Sequence, residues 1–374
     1  MKDPRLQKLA NILLEYSNCV TAGQHVLIKG HFAAKPLIKE LVKETYRLGA
    51  YPYVEIIDDE IGREISLGNS KARMEKVTEW NLAKYKDMDA LVTVYAEDND
   101  SEYSEVSSEI KVMQARINKP VSDLIVEQKQ WVLLNYPTSA LAQKAKMSLA
   151  AFEDFLLEVC LVDYTVMNDA MKNLKQLMEK TDQVHITGPG TDLTFSIKGI
   201  PAIPCAGECN MPDGEVFTAP VRDSVNGVIQ YNTASPYQGT VYNQVKLEFE
   251  NGKIVKATAD NDLDKLTEIF NTDEGARYIG EFAMGVNPII KQPMGDILFD
   301  EKIDGSLHFT PGAAYEGEAD NGNRSAVHWD LVLIQRPEYG GGSIYFDGVL
   351  VRENGRFVLP ELECLNPEAL LQKS

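Results

Sequence analysis

Cysteine is scarce in this chain. The five present in 374 residues, Cys19, Cys160, Cys205, Cys209 and Cys364, are odd in number and scattered, unlike the even, spaced set of a secreted disulfide framework. Only Cys205 and Cys209 stand close together, and no second pair completes a zinc knuckle, so they read as small buried thiols. Basic residues are also in deficit, 37 Lys and Arg against 56 Asp and Glu, and a net charge of −19 argues against a nucleic-acid partner. No uninterrupted apolar run is long enough to span a bilayer, and Met1-Lys2-Asp3-Pro4-Arg5 lacks the apolar stretch of a signal peptide. A cytoplasmic protein with no membrane partner is therefore expected. His-Glu-x-x-His, Gly-x-Ser-x-Gly, Gly-x-Gly-x-x-Gly and the P-loop are all missing, which disfavours a helix-borne zinc protease, a serine hydrolase and a nucleotide site.

What remains is the composition of a soluble globular protein, 44% hydrophobic and 25% charged, in a chain long enough for two cores. Leu6, Leu9, Ala10, Leu13 and Leu14 recur at helical spacing; Val26-Leu27-Ile28 then reads as a strand and Lys35 to Leu48 as a helix closed by Gly49. Further strands are expected at Tyr51 to Ile57, Ala90 to Tyr95 and Trp131 to Asn135, followed by a mostly helical stretch from Ser139 to about Lys180 that breaks at Met147-Ser148. Beyond this the pattern changes to hairpins. Gln183 to Ile197 folds about Gly188-Pro189-Gly190, while Asn251-Gly252 and Asn354-Gly355 each sit between alternating apolar runs. The expected fold is an α/β amino-terminal domain over residues 1–181, then a predominantly antiparallel β (α+β) catalytic domain over 182–374.

The chemistry concentrates in that second part. In Val327-His328-Trp329-Asp330, ahead of an apolar run to Ile334, a strand would turn His328 and Asp330 to one face, where imidazole and carboxylate suit a divalent cation. His308 follows Glu301 across a turn at Gly305. Glu215 and Glu281 each stand in apolar surroundings, where an unpaired carboxylate would be expensive; either a cation or an ion pair with Arg222 or Arg277 would offset the burial. His25, His31 and His185 have no such company and read as packing or surface residues.

These segments occur in the order found in a known family. Gly214–Gly227, Ala276–Pro288, Leu298–Tyr315 and Val327–Leu333, together with Tyr136–Phe155, resemble the thermophilic metalloaminopeptidases, the family of aminopeptidases T, S and II. Gln335–Gly342 departs from that pattern, which bears on the pocket rim rather than on the ligands. The resemblance implies that Glu215, Glu281, His308, His328 and Asp330 hold two divalent ions (zinc, cobalt, manganese or magnesium). It also implies that Glu301 is a general base or acid, that Tyr315 lies in the active site, and that a homodimer acts on small peptides. Three ligand carboxylates against two divalent ions leave one positive charge, enough for a bridging hydroxide to neutralise. Tyr315 would then donate a hydrogen bond to a tetrahedral oxyanion. Two alternatives stay open: a dinuclear phosphoesterase, which needs a cation such as Arg222, Arg277 or Arg324 near the metals, and a binding protein stabilised by a closed metal site.

Overall fold

The computed structural model describes residues 3–317 and 319–372. The chain forms two compact units, one of Met1–Leu161 with Gly207–Pro212 and the other of Val162–Ala206 with Asp213–Ser374. Composition marks its change of character near Thr181; the helix Tyr164–Met178, capped by Asp163, belongs with the second unit.

In the first unit β1 (His25–His31), β2 (Tyr51–Ile57), β3 (Ala90–Tyr95) and β4 (Gln130–Asn135) run parallel in the order β2-β1-β3-β4, with Asn210–Met211 added beside β4. The apolar runs of β1 and β3 are buried almost throughout, as expected of parallel strands covered on both faces by helices. The helix Lys35–Arg47 buries Leu37, Ile38 and Leu41, and Leu27 and Leu91 pack with Val121 and Leu124. The break expected at Met147-Ser148 is a helix start, with the Ser148 hydroxyl accepting from the Ala151 amide.

The second unit is mostly antiparallel. An eight-stranded sheet contains the hairpins read from the sequence: Asn251 and Gly252 take φ of 48° and 82°, Asn354 and Gly355 of 50° and 79°, the left-handed values a two-residue primed turn requires. A five-stranded sheet is built from β5 (Ile203–Cys205), β6 (Glu215–Thr218), β7 (Ile279–Gly285), β8 (Ser306–Pro311) and β9 (Val332–Ile334), in the order β9-β8-β7-β6-β5. Phe282 and Phe309 from one face of this sheet meet Phe195 of the larger sheet at ring-centre distances of 5.0 and 4.9 Å. Each such buried ring contributes roughly 1.5–3 kcal/mol. With that face fixed against the core, strand alternation sends the intervening residues of β7 and β8 to the opposite face.

The strand expected from Trp329 to Ile334 is regular only over Val332–Ile334. His328 continues the same register as an isolated bridge to Gly312. The ladder fails between them for local reasons. Pro311 has no N–H to return to Trp329, whose own amide reaches the Pro311 carbonyl, and the Phe309 carbonyl accepts the Tyr231 hydroxyl at 2.8 Å.

Candidate metal centre

Residues opposite one another in adjacent antiparallel strands share a face. In the five-stranded sheet Glu281 lies opposite Thr310, Ala283 opposite both His308 and Phe217, Gly285 opposite Glu215, and Glu215 opposite Cys205. These polar groups therefore converge on the face turned away from the Phe282 and Phe309 core. Ala283 and Gly285 lie between them and form the floor of this face. Asp330 and His328, continuing the register of β9, join the same face.

All seven residues singled out from the sequence come together. Two groups of three donors form, each with one imidazole and two carboxylates whose ligand atoms lie within 4.8 Å of one another: Glu215, Glu301 and His308 in one, Glu281, His328 and Asp330 in the other. His308 couples them, with Nε2 3.1 Å from Glu281 Oε1 and Nδ1 3.6 Å from Glu215 Oε2. His328 donates from Nδ1 to the Ala313 carbonyl at 2.9 Å, which fixes its tautomer and turns Nε2 toward Asp330 Oδ1 at 3.3 Å and Glu281 Oε2 at 3.5 Å. Thr310 Oγ1 donates to Asp330 Oδ1 at 2.7 Å and holds that carboxylate in place.

A metal ion fits this arrangement on grounds of hydrogen bonding alone. Among the described residues Glu215 Oε2, His308 Nδ1 and His328 Nε2 are buried without a well-formed hydrogen bond, facing one another or a carboxylate at 3.3–3.6 Å, and all three belong to the two donor groups. Buried polar atoms are rarely left unpaired, so three in one site call for a further partner. The donors are imidazole and carboxylate, the set that zinc, cobalt and manganese accept.

Burial and opposite charge together set the titration of these groups. Burial pushes Glu215 up to about 8 and also raises Glu301. Against their own burial, the surrounding carboxylates, Glu215 first for His308 and Asp330 first for His328, hold both imidazolium forms up to about 10. Asp330 falls well below the usual carboxylate range because His328 faces it. Tyr315, about half exposed, has its ring 5.3 Å from those of His328 and Phe217, and the Glu281 carboxylate raises its phenol well above 10. It is thus a neutral hydroxyl donor.

The arginines drawn into the alternative readings are engaged elsewhere. Arg222 lies over the Tyr278 ring and bonds Asn323, Arg277 bonds the Ile254 carbonyl and Asn271, and Arg324 bonds Asp320. None of these contacts is with a site carboxylate, so neither glutamate is neutralised by arginine and no arginine of the three is seen waiting for a phosphate. A cavity of about 110 Å³ opens beside His328 and Asp330, walled by Tyr237, Ile297 and Val332. The other histidines stand apart: His31 is buried against Asp59 at 3.0 Å, while His25 pairs with Tyr53 and His185 with Asp192.

Sequence reasoning missed Lys302. Its ammonium is fully buried, 3.2 Å from Glu215 Oε1 and in contact with Glu301 Oε1. In Asp300-Glu301-Lys302 it reads as part of a solvated charged turn, and only a buried cation's need for carboxylates could have marked it.

Residues 2–357 match the family described as thermophilic metalloprotease (M29). The chain is 26% identical to aminopeptidase T of Thermus thermophilus over 404 residues, covering 95% of this chain and 98% of that protein. It is 27% identical to aminopeptidase PepS of Streptococcus thermophilus over 401 residues, covering 92% and 94% respectively. The solved structure of wild-type AmpT from Thermus thermophilus superposes with a TM-score of 0.83 at 23% identity, over 95% of this chain and 99% of that one, which shows a shared fold.

Proposed function

The chain belongs to the thermophilic metalloprotease (M29) family, and from that premise we propose that it is a metal-dependent aminopeptidase with a two-ion centre on the five-stranded sheet. The observation that carries this reading is the pair of three-donor groups, each with one imidazole and each containing a buried nitrogen that makes no well-formed hydrogen bond among the described residues. Glu215, Glu281, His308, His328 and Asp330 would hold the ions. Divalent ions in such a place supply Lewis acidity, polarising a carbonyl and letting water ionise near neutral pH.

The chain's own residues supply the rest. Glu301 is assigned as the proton carrier: it adjoins Glu215 and His308 without being one of the five residues that would hold the ions, whereas Asp330 is committed to Thr310 and to His328. It takes a proton at a carboxylate oxygen and returns one to the leaving amine, a step generally worth ~10²–10⁴-fold. The Tyr315 hydroxyl donates to the oxygen that gains negative charge at the attacked carbonyl. The cavity beside His328 and Asp330 admits one end of a small peptide, and the proposal extends to a homodimer in the cytoplasm. Among the described residues no helix is long and apolar enough to cross a membrane.

The test uses chelator-treated protein given zinc, cobalt, manganese or magnesium in turn, with aminoacyl arylamides whose α-amino group is free or acetylated. Hydrolysis of the free-amino substrate alone is expected. Equal rates on the acetylated substrate would remove the exopeptidase reading, and phosphate release from simple phosphoesters would favour the phosphoesterase.

A further inference from the structure

A third donor group adjoins the two assigned to ions. Cys205 Sγ, an Asp213 oxygen and a Glu215 oxygen lie within 4.8 Å of one another, with Cys205 directly across from Glu215 on the site face of the sheet. A thiol and two carboxylates form a set that zinc or cobalt would take. This group already contains a cation. Lys302, with no solvent exposure, donates from Nζ to Glu215 Oε1 at 3.2 Å and to Glu301 Oε1, and pairs electrostatically with Asp213 Oδ1 at 3.8 Å, so one ammonium faces three carboxylates. Glu215 is divided by the arrangement: Oε1 serves Lys302, and Oε2 points to His308.

We infer that Lys302 is the resident cation of the third group, closing it to metal, limiting the centre to two ions and leaving Glu215 a single oxygen with which to bind them. The inference rests on the two-ion reading above. Charge supports it: against the five carboxylates Asp213, Glu215, Glu281, Glu301 and Asp330 two divalent ions alone fall short by one charge, which the ammonium supplies before any hydroxide is counted. Without the ammonium, one negative charge and a thiol stand unopposed beside vacated space.

Cobalt(II) tests this, because a cobalt–thiolate bond adds a charge-transfer band in the near ultraviolet that imidazole and carboxylate ligands do not give. Chelator-treated wild-type protein titrated with cobalt should bind two ions per chain and show no thiolate band. Lys302→Ala should bind a third ion and gain the band, and adding Cys205→Ser should remove the band. Two ions and no band in Lys302→Ala would overturn the inference while sparing the two-ion centre; fewer than two ions in the wild type would overturn both. Should Lys302→Ala fail to fold, Cys205→Ser alone decides: it should retain two cobalt ions at unchanged affinity, and loss of an ion, or a thiolate band in the wild type, would show that Cys205 is a ligand and that Lys302 closes nothing.

Discussion

His328 shows how much a single hydrogen bond can decide. Because the Ala313 carbonyl can only accept, Nδ1 must carry the proton, and Nε2 is left facing two carboxylates at 3.3 and 3.5 Å. His328→Ala should therefore abolish peptidase activity and weaken metal retention while far-ultraviolet circular dichroism stays near wild type; full activity would exclude this site. Thr310→Val removes the hydroxyl that orients Asp330 and is expected to weaken metal binding by roughly 10- to 100-fold, the usual penalty for losing such a support. Glu301 stands near enough to Glu215 and His308 to be either ligand or proton carrier, and Glu301→Gln separates the roles. As a proton carrier, the variant should keep two ions by elemental analysis and lose about 10²–10⁴-fold in kcat; loss of an ion instead would make it a ligand. The seven candidate residues that the fold brings together stood out in the sequence because imidazoles and carboxylates in apolar runs are conspicuous, and because whole segments resemble a family. Lys302 was not, since burial depends on the path of the chain and not on its immediate neighbours.

At the scale of the element, the site is a consequence of strand register. A slip of one residue in β7 would turn Glu281 into the core and Phe282 into the site. Gly285 helps to exclude that slip, for a Cβ there would meet the Ile303 carbonyl oxygen at 2.5 Å and the Glu301 carbonyl oxygen at 2.9 Å, backbone atoms that cannot swing aside. Gly285→Ala should destabilise the protein by roughly 1–3 kcal/mol, as overpacking commonly does. Because the displaced backbone carries Glu301, activity should fall further than stability; a melting curve and activity both unchanged would show that the floor tolerates a methyl group. Hairpins were legible at this scale because Asn-Gly pairs demand left-handed φ values, and parallel strands because continuous apolar runs need cover on both faces. The strand through His328 was overestimated: its side-chain alternation is real, but its ladder depends on Pro311 and Tyr231, which lie far away in sequence.

Across the whole molecule, the buried charges tie metal occupancy to pH. In the metal-free protein His308 and His328 titrate near 10 against an ordinary 6.5, so their protonated forms stabilise the fold fully below about 6.5 and lose that contribution as pH rises towards 10. Glu215, raised to about 8, acts in the same sense, stabilising as the neutral acid at low pH and ceasing to do so as pH passes through 8. Asp330, lowered by His328, contributes above its ordinary 3.8 and is lost in stronger acid. Chelated protein should thus be most stable in mildly acidic solution and weaken steadily from pH 6.5 to 10. Ions reverse the sign, since they take the places of protons on both imidazoles and on Glu215. Metal uptake at pH 7 should release protons, measurable by calorimetry in buffers of different ionisation enthalpy, and affinity should rise with pH. Thermal melts of loaded protein should accordingly shift their optimum to higher pH than melts of chelated protein. Superimposable pH profiles for the two would mean that the ions bind elsewhere than among these groups.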